Sequence, residues 1–181
     1  MGIIGTVGLP GSGKGEAASV ARELDIPVVT MGDVIREECR ARGLDPADHH
    51  GEIAVALREE EGPTAIADRS IERIREAYTE TDTVLVDGIR SDVEVERFEA
   101  AFGSEFRLVA IEAPFDVRKD RIDDRDRDNA TESLEERDRR ELAFGMDAAI
   151  ENADVTIENT SSIDTYYERI HELLQDDDLQ R

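Results

Sequence analysis

The residues best suited to chemistry lie near the start of the chain, in the run Gly8-Leu9-Pro10-Gly11-Ser12-Gly13-Lys14-Gly15. Two glycines five positions apart, followed by lysine, fit a phosphate-binding loop, with Gly15 where Ser or Thr is usual. Such a loop needs a strand to feed it and a helix to leave it. Successive backbone N–H groups then converge on an anion, and the helix N-terminus adds roughly half a positive charge. Both flanks fit. Ile3-Ile4-Gly5-Thr6-Val7 reads as a short buried strand, and Ala17, Val20, Ala21 and Leu24 recur at helical spacing behind the loop. Lys14 would reach the outer phosphates as a point charge. Lysine is otherwise almost absent: Lys14 and Lys119 are the only two, and the other 20 cations are arginine, which argues against coincidence at this position.

Three further constellations could work with that loop. Val84-Leu85-Val86-Asp87-Gly88-Ile89-Arg90 is an apolar strand ending in a carboxylate, which can hold Mg²⁺ directly or through its waters, or else cap the following turn. Val29-Thr30-Met31-Gly32-Asp33-Val34-Ile35-Arg36 reads as a strand end followed by a helix start. Arg36, one turn in, offers a planar fork for a second phosphate, or is a solvated surface arginine. Arg118-Lys119-Asp120-Arg121-Ile122-Asp123-Asp124-Arg125-Asp126-Arg127, with Arg137, Arg139 and Arg140 beyond it, is either a helix laced with i,i+4 ion pairs or a lid whose arginines neutralise a moving phosphoryl group. His49 and His50 read as helix-start or loop residues, with a substrate contact as the alternative, and no Cys/His spacing suggests zinc. The lone Cys39 falls in a helical pattern with Val34 and Ile35 and reads as a buried thiol.

The elements that must position these groups alternate strand and helix, which predicts a parallel sheet with helices on both faces. The expected strands are Gly2–Val7, Pro27–Val29, Thr83–Val86, Phe106–Ile111 and Val155–Ile157. A helix over Thr64–Tyr78, started by Gly62-Pro63, would bury Ala67, Ile71, Ile74 and Tyr78. A last helix would bury Ile163, Tyr166, Tyr167, Ile170, Leu173 and Leu174, capped by Ser161 or Ser162, with a frayed tail over Gln175–Arg181. Arg36–Glu80 holds more helix than one crossover needs, and Asp116–Asp147 is a long polar insert. Both would sit near the carboxyl ends of the strands, where such folds bind ligands.

Charge narrows the setting. There are 45 Asp plus Glu against 22 Lys plus Arg, a formal net charge of −23 spread along the whole chain. In dilute salt such a chain repels itself. At about 1 M salt the Debye length is near 3 Å and most of that repulsion is screened, which points to a highly saline cytoplasm. An acidic surface for a basic partner is the rival explanation. The charge argues against duplex nucleic acid as a partner, because that needs a basic footprint. No apolar run approaches a membrane span, and no secretory leader is expected.

Together these segments resemble the nucleoside monophosphate kinases, adenylate kinase above all. That family's loop reads like Gly8–Gly15, including Gly in the last place; its second motif is similar to Thr30–Arg36; its third looks like Asp87-Gly88-Ile89-Arg90; and Asp120–Arg125 resembles the start of its lid. The ending Ala153–Thr160 looks more like the closing strand and adenine-side loop of dephospho-coenzyme A kinases. Over its whole length the chain resembles a family of archaeal adenylate-kinase-related proteins, sometimes labelled dephospho-coenzyme A kinase-like, whose saline-adapted members are acidic in the same way.

The resemblance implies one P-loop domain over residues 1–181, a three-layer α/β/α fold with a five-stranded parallel sheet. It implies a helical acceptor-binding insert at 31–80 and a short lid region at 116–147. It implies ATP and Mg²⁺, and phosphoryl transfer to a nucleotide or nucleotide-like acceptor such as a nucleoside monophosphate or dephospho-coenzyme A. A nucleotide-dependent switch or assembly factor acting on a macromolecule is the alternative. Gly8, Leu9, Pro10, Gly11, Ser12, Gly13, Lys14, Gly15 and Glu16 would surround the ATP phosphates. Asp33 and Asp87 would hold the Mg²⁺ waters, and Arg36 and Arg90 the acceptor's phosphate. Arg121 would lie against the ATP base, with Arg125 and Arg137 on the moving phosphoryl group; Arg139 or Arg140 could take the place of Arg137. Three departures stand out: Glu16 replaces a threonine, Met31 replaces another, and the lid is short.

Overall fold

The computed structural model describes residues 2–125 and 133–175, with Asp124 and Arg125 as backbone only. Five strands, β1 (Gly2–Val7), β2 (Val28–Thr30), β3 (Thr83–Asp87), β4 (Phe106–Glu112) and β5 (Val155–Glu158), form one sheet in the order β2-β3-β1-β4-β5. Every pairing is parallel. The five expected strands are all present, each within about one residue of its observed ends.

Parallel strands are buried on both faces, so alternate residues of one strand serve two separate cores. Ile3, Val84, Val86, Leu108 and Ala110 face one side. There they pack on α2 (Met31–Ala41), α3 (Pro46–Glu61), α4 (Ala65–Glu80), α5 (Asp92–Phe102) and α8 (Met146–Glu151). Ile4, Leu85, Val109 and Ile111 face the other side. They pack on α1 (Lys14–Glu23) and α9 (Ile163–Gln175) through Ala17, Val20, Ala21, Tyr166 and Ile170. The result is the three-layer α/β/α P-loop fold with a five-stranded parallel sheet. Cys39 is fully buried and free.

The helices start where their capping chemistry allows. Asp45 Oδ1 accepts from Ala47 N–H at 2.9 Å, with Pro46 in the first helical position of α3. Ser133 and Glu136 form a reciprocal capping box on α7 (Leu134–Ala143). Ser162, rather than Ser161, caps α9 by accepting from Thr165 N–H at 3.3 Å. Two details differ from expectation. The helix expected from Thr64 begins at Ala65, because Gly62, at φ 104°, ends α3 and Thr64 becomes the residue before the next helix. Ile163, expected in the buried stripe, stands exposed at the first position of α9, before the helix meets the sheet. The segment between β2 and β3 contains α2, α3 and α4, and the segment before β5 contains α6 (Phe115–Arg125), α7 and α8. Most of the expected frayed tail, residues 176–181, lies outside the described residues.

Candidate active site

The glycine loop spans the six residues between β1 and α1, and each of its carbonyls is engaged. Lys14 Nζ donates to Gly8 O, and to Leu9 O at 3.2 Å. Arg118 Nη1 donates to Pro10 O at 3.0 Å, and Arg121 Nη1 to Gly11 O at 3.4 Å. Asn159 Nδ2 donates to Ser12 O at 2.8 Å, and the Tyr166 hydroxyl to Gly13 O at 2.9 Å. Four of these carbonyls are thus pulled outward by α6, α9 and the residue after β5. Peptide groups are planar and trans, so this turns their N–H groups to the opposite side. There Gly11, Gly13, Lys14 and Gly15 line a cleft of about 320 Å³. Gly13 has to be glycine: its φ is 116°, and a Cβ there would collide with Asn159 Nδ2.

Arg118 holds this frame together. Only 4 % exposed, it donates to Ala113 O at 3.1 Å as well as to Pro10 O, and its two terminal nitrogens grip both oxygens of Asp138 on α7 at 2.8 and 2.6 Å. Arg121, one turn on, also donates to Asn159 O at 3.0 Å and Asn159 Oδ1 at 3.1 Å, so it lies between the loop and the end of β5. Part of the arginine-rich segment therefore braces the loop instead of lacing its own helix.

The far wall of the cleft gathers residues from three separate segments. Parallel pairing sets Thr30 beside Asp87, so the end of β2 and the carboxylate of β3 meet at the loop's mouth. Arg36 and Arg90 line the same cleft. Burial, then repulsion from Arg90, pulls the Lys14 ammonium down to about 8, against the opposing pull of Asp87 and Glu141. A half-buried ammonium beside a second cation gains from an incoming anion. Asp33 behaves differently. Its Oδ1 accepts from Arg36 Nε at 2.9 Å and pairs with Arg36 Nη2 at 2.7 Å, and it is not among the residues lining the cleft. Of the two carboxylates expected at a metal, the structure brings Asp87 alone to the loop.

Other expected residues fall as follows. Glu16 sits in the first turn of α1, and its carboxylate accepts from the Tyr167 hydroxyl of α9 at 3.0 Å. The side chain of Arg125 lies outside the described residues. Arg137 lines neither the cleft nor the cavity beside it, whereas Arg140 lines that second cavity. No group of three or more His, Cys, Asp or Glu forms a metal cage among the described residues. A Mg²⁺ ion carried on phosphates keeps several waters and needs only one or two carboxylates, and Asp87 fits that demand.

Sequence reasoning missed several lining or bracing groups. Glu94, fully buried, accepts from Arg90 N–H at 2.8 Å and from Arg58 Nη2 at 3.0 Å, bridging the two arginines. Glu94 lies in the first turn of α5, where Ser91 Oγ accepts from its N–H at 3.3 Å. His50, on α3, lines the cleft, on the side of the lesser of the two expectations for it. Burial and then the Arg36 charge hold its imidazole below the usual histidine range, which favours the neutral ring at pH 7. Nothing in the local sequence marked Arg58, and the pattern marked Tyr166 only as a buried helix residue and Asn159 only within the Ala153–Thr160 resemblance; their bonds to the loop reach across most of the chain.

A strand, a glycine loop closed on a lysine, and a helix at the carboxyl edge of a parallel sheet define a P-loop protein with a kinase-like three-layer fold. The comparisons agree. A family model described as an AAA domain matches residues 7–138. A UPF0200 protein from Halobacterium salinarum is 59 % identical, over 98 % of this chain and 94 % of its own length. One from Methanosarcina acetivorans is 46 % identical over 96 % of this chain and 94 % of its own. The chain belongs to the UPF0200 family. Among solved structures, TT1252 from Thermus thermophilus shares the fold with a TM-score of 0.61 at 21 % identity, covering 93 % of each chain. A shikimate kinase from Bacteroides thetaiotaomicron does so with a TM-score of 0.60 at 16 % identity, covering 96 % of this chain and 98 % of its own. No helix among the described residues is long and apolar enough to cross a membrane.

Proposed function

We propose that this protein transfers a phosphoryl group from ATP, with Mg²⁺, to a nucleotide or nucleotide-like acceptor. The observation that carries the reading is the anchored loop. Its carbonyls are held away and a half-buried ammonium is fixed at its centre, and it opens on a cleft that also contains Asp87, Arg36 and Arg90. That arrangement suits a triphosphate on one side and a second anion on the other. Loop N–H groups and Lys14 would bind the phosphates of ATP, and Asp87 would hold Mg²⁺ through its waters. The metal's part is to neutralise charge on the transferring group. Arg36 and Arg90 would hold the acceptor, within an acceptor-binding region at 31–80. Arg121, between the loop and Asn159, suits the base side of the nucleotide. Residues 116–147 would act as the lid that excludes water. Asp33, paired with Arg36, serves better as an orienter of that arginine than as a metal ligand.

Labelled ATP, Mg²⁺ and a panel of nucleoside monophosphates and dephospho-coenzyme A, in concentrated KCl, test this reading. Label appearing on one acceptor supports it. Free phosphate alone, stimulated by a cell extract, favours a nucleotide-dependent switch instead.

A further inference from the structure

A second cavity of about 340 Å³ adjoins the acceptor side of the cleft. The two share Ile35, His50, Arg58 and Arg90 as common walls. Beyond them the chemistry changes. Val55 of α3 and Phe144 at the end of α7 both line the second cavity, and they are 49 % and 48 % exposed, so the cavity has an apolar side. The Phe144 ring centre lies 5.9 Å from the Arg58 guanidinium carbon, which holds the ring in place.

Glu141 supplies an independent signal. It lines this cavity yet is only 4 % exposed, and Oε1 pairs with Arg90. Oε2 is buried and has no hydrogen-bond partner among the described residues. An unpaired buried carboxylate oxygen costs stability in the free protein and requires an explanation. A ligand carrying an N–H or O–H group supplies one.

We propose that this second cavity is a subsite for one arm of an extended acceptor. The arm has an apolar body, flanked by Val55 and Phe144, and an amide or hydroxyl donor that Glu141 accepts. The proposal rests on the reading of the first cleft as an acceptor site and adds a requirement to it. A mononucleotide engages Arg36 and Arg90 alone, and a longer molecule with the same anionic end gains the second cavity. Glu141 then links the two, since one oxygen orients the anion-binding Arg90 while the other reads the arm.

Calorimetry in concentrated KCl tests this with three ligands, ATP, AMP and dephospho-coenzyme A, the last having a long arm of amides and a hydroxyl. The parent should bind dephospho-coenzyme A about tenfold more tightly than AMP, the gain expected from covering a modest apolar area. Val55→Asp, at an exposed helix position, should remove that preference, with ATP affinity serving as the check on folding. Glu141→Gln should reduce the preference while retaining the side chain's size. Equal affinity of the parent for AMP and dephospho-coenzyme A overturns the proposal, and so does a preference that survives Val55→Asp. Arg90→Ala separates the two readings. If it abolishes AMP binding while the preference is absent from the parent, the second subsite fails and the acceptor site stands. A parent that binds ATP but neither acceptor overturns both.

Discussion

Arg118 gives the sharpest test of how the loop is held. Its side chain is 5 % exposed and spends its donors on Ala113 O, Pro10 O and both oxygens of Asp138, whose side chain is itself 14 % exposed. Replacing Arg118 with Met keeps much of the volume but leaves a largely buried carboxylate without its counter-ion. Breaking such a pair costs about 3–5 kcal/mol. For a chain of this size that corresponds to a fall in Tm of roughly 6–20 °C. Screening acts weakly on buried pairs, so the loss should persist in concentrated KCl. The partner change, Asp138→Leu, removes the stranded charge, so the double variant should recover much of the loss, with a coupling energy of about 2–3 kcal/mol. Pro10 O loses its partner in both Arg118 variants, so ATP affinity should drop about tenfold in each, the cost of losing a hydrogen bond to a charged donor. Equilibrium denaturation at high salt measures the first quantity and calorimetry the second. Coupling below about 0.5 kcal/mol, or unaltered ATP affinity in the double variant, would refute the view that this arginine ties α7 to the loop.

Lys14 provides a titration test. Its folded value of about 8 lies below the ordinary 10.5, so between these values the unfolded chain holds more protons and stability rises with pH; below pH 8 the full cost of the half-buried charge is present. ATP should raise that value, so binding near pH 8 should take up protons, measurable as a dependence of the binding heat on buffer ionisation; Lys14→Ala should abolish the uptake and weaken ATP binding sharply. Arg36→Ala and Arg90→Ala should each weaken acceptor binding by about tenfold or more while leaving ATP affinity nearly intact; equal loss of both ligands would mark these arginines as structural. With a net charge of −23, the parent should unfold at a Tm that climbs as KCl rises from low salt toward about 1 M, and a flat profile would remove self-repulsion as the reason for the high-salt expectation.

The glycine loop was legible because its chemistry is local: glycines at fixed spacing, one lysine, and a strand and helix on either side. The five strands were legible for a similar reason, since a parallel sheet buries both faces and leaves short apolar runs. Asp87 could be placed at a strand end, and Arg36 and Arg90 just beyond one, from pattern alone. The role of Asp33 could not, because a carboxylate three residues before an arginine in a helix can reach either the site or that arginine. The structure shows it paired with Arg36.

What the sequence determined by itself was the frame of the candidate site: a glycine loop closed on a lysine, between a strand and a helix, at the carboxyl edge of a parallel sheet. Tertiary packing decided which distant side chains serve it. Arg118, Asn159 and Tyr166 reach the loop across 108, 147 and 153 residues of chain, and Glu94 joins Arg58 to Arg90 from another helix. Such partners leave no periodic trace, because a hydrogen bond between remote segments depends on where helices land on the sheet and not on spacing along the chain.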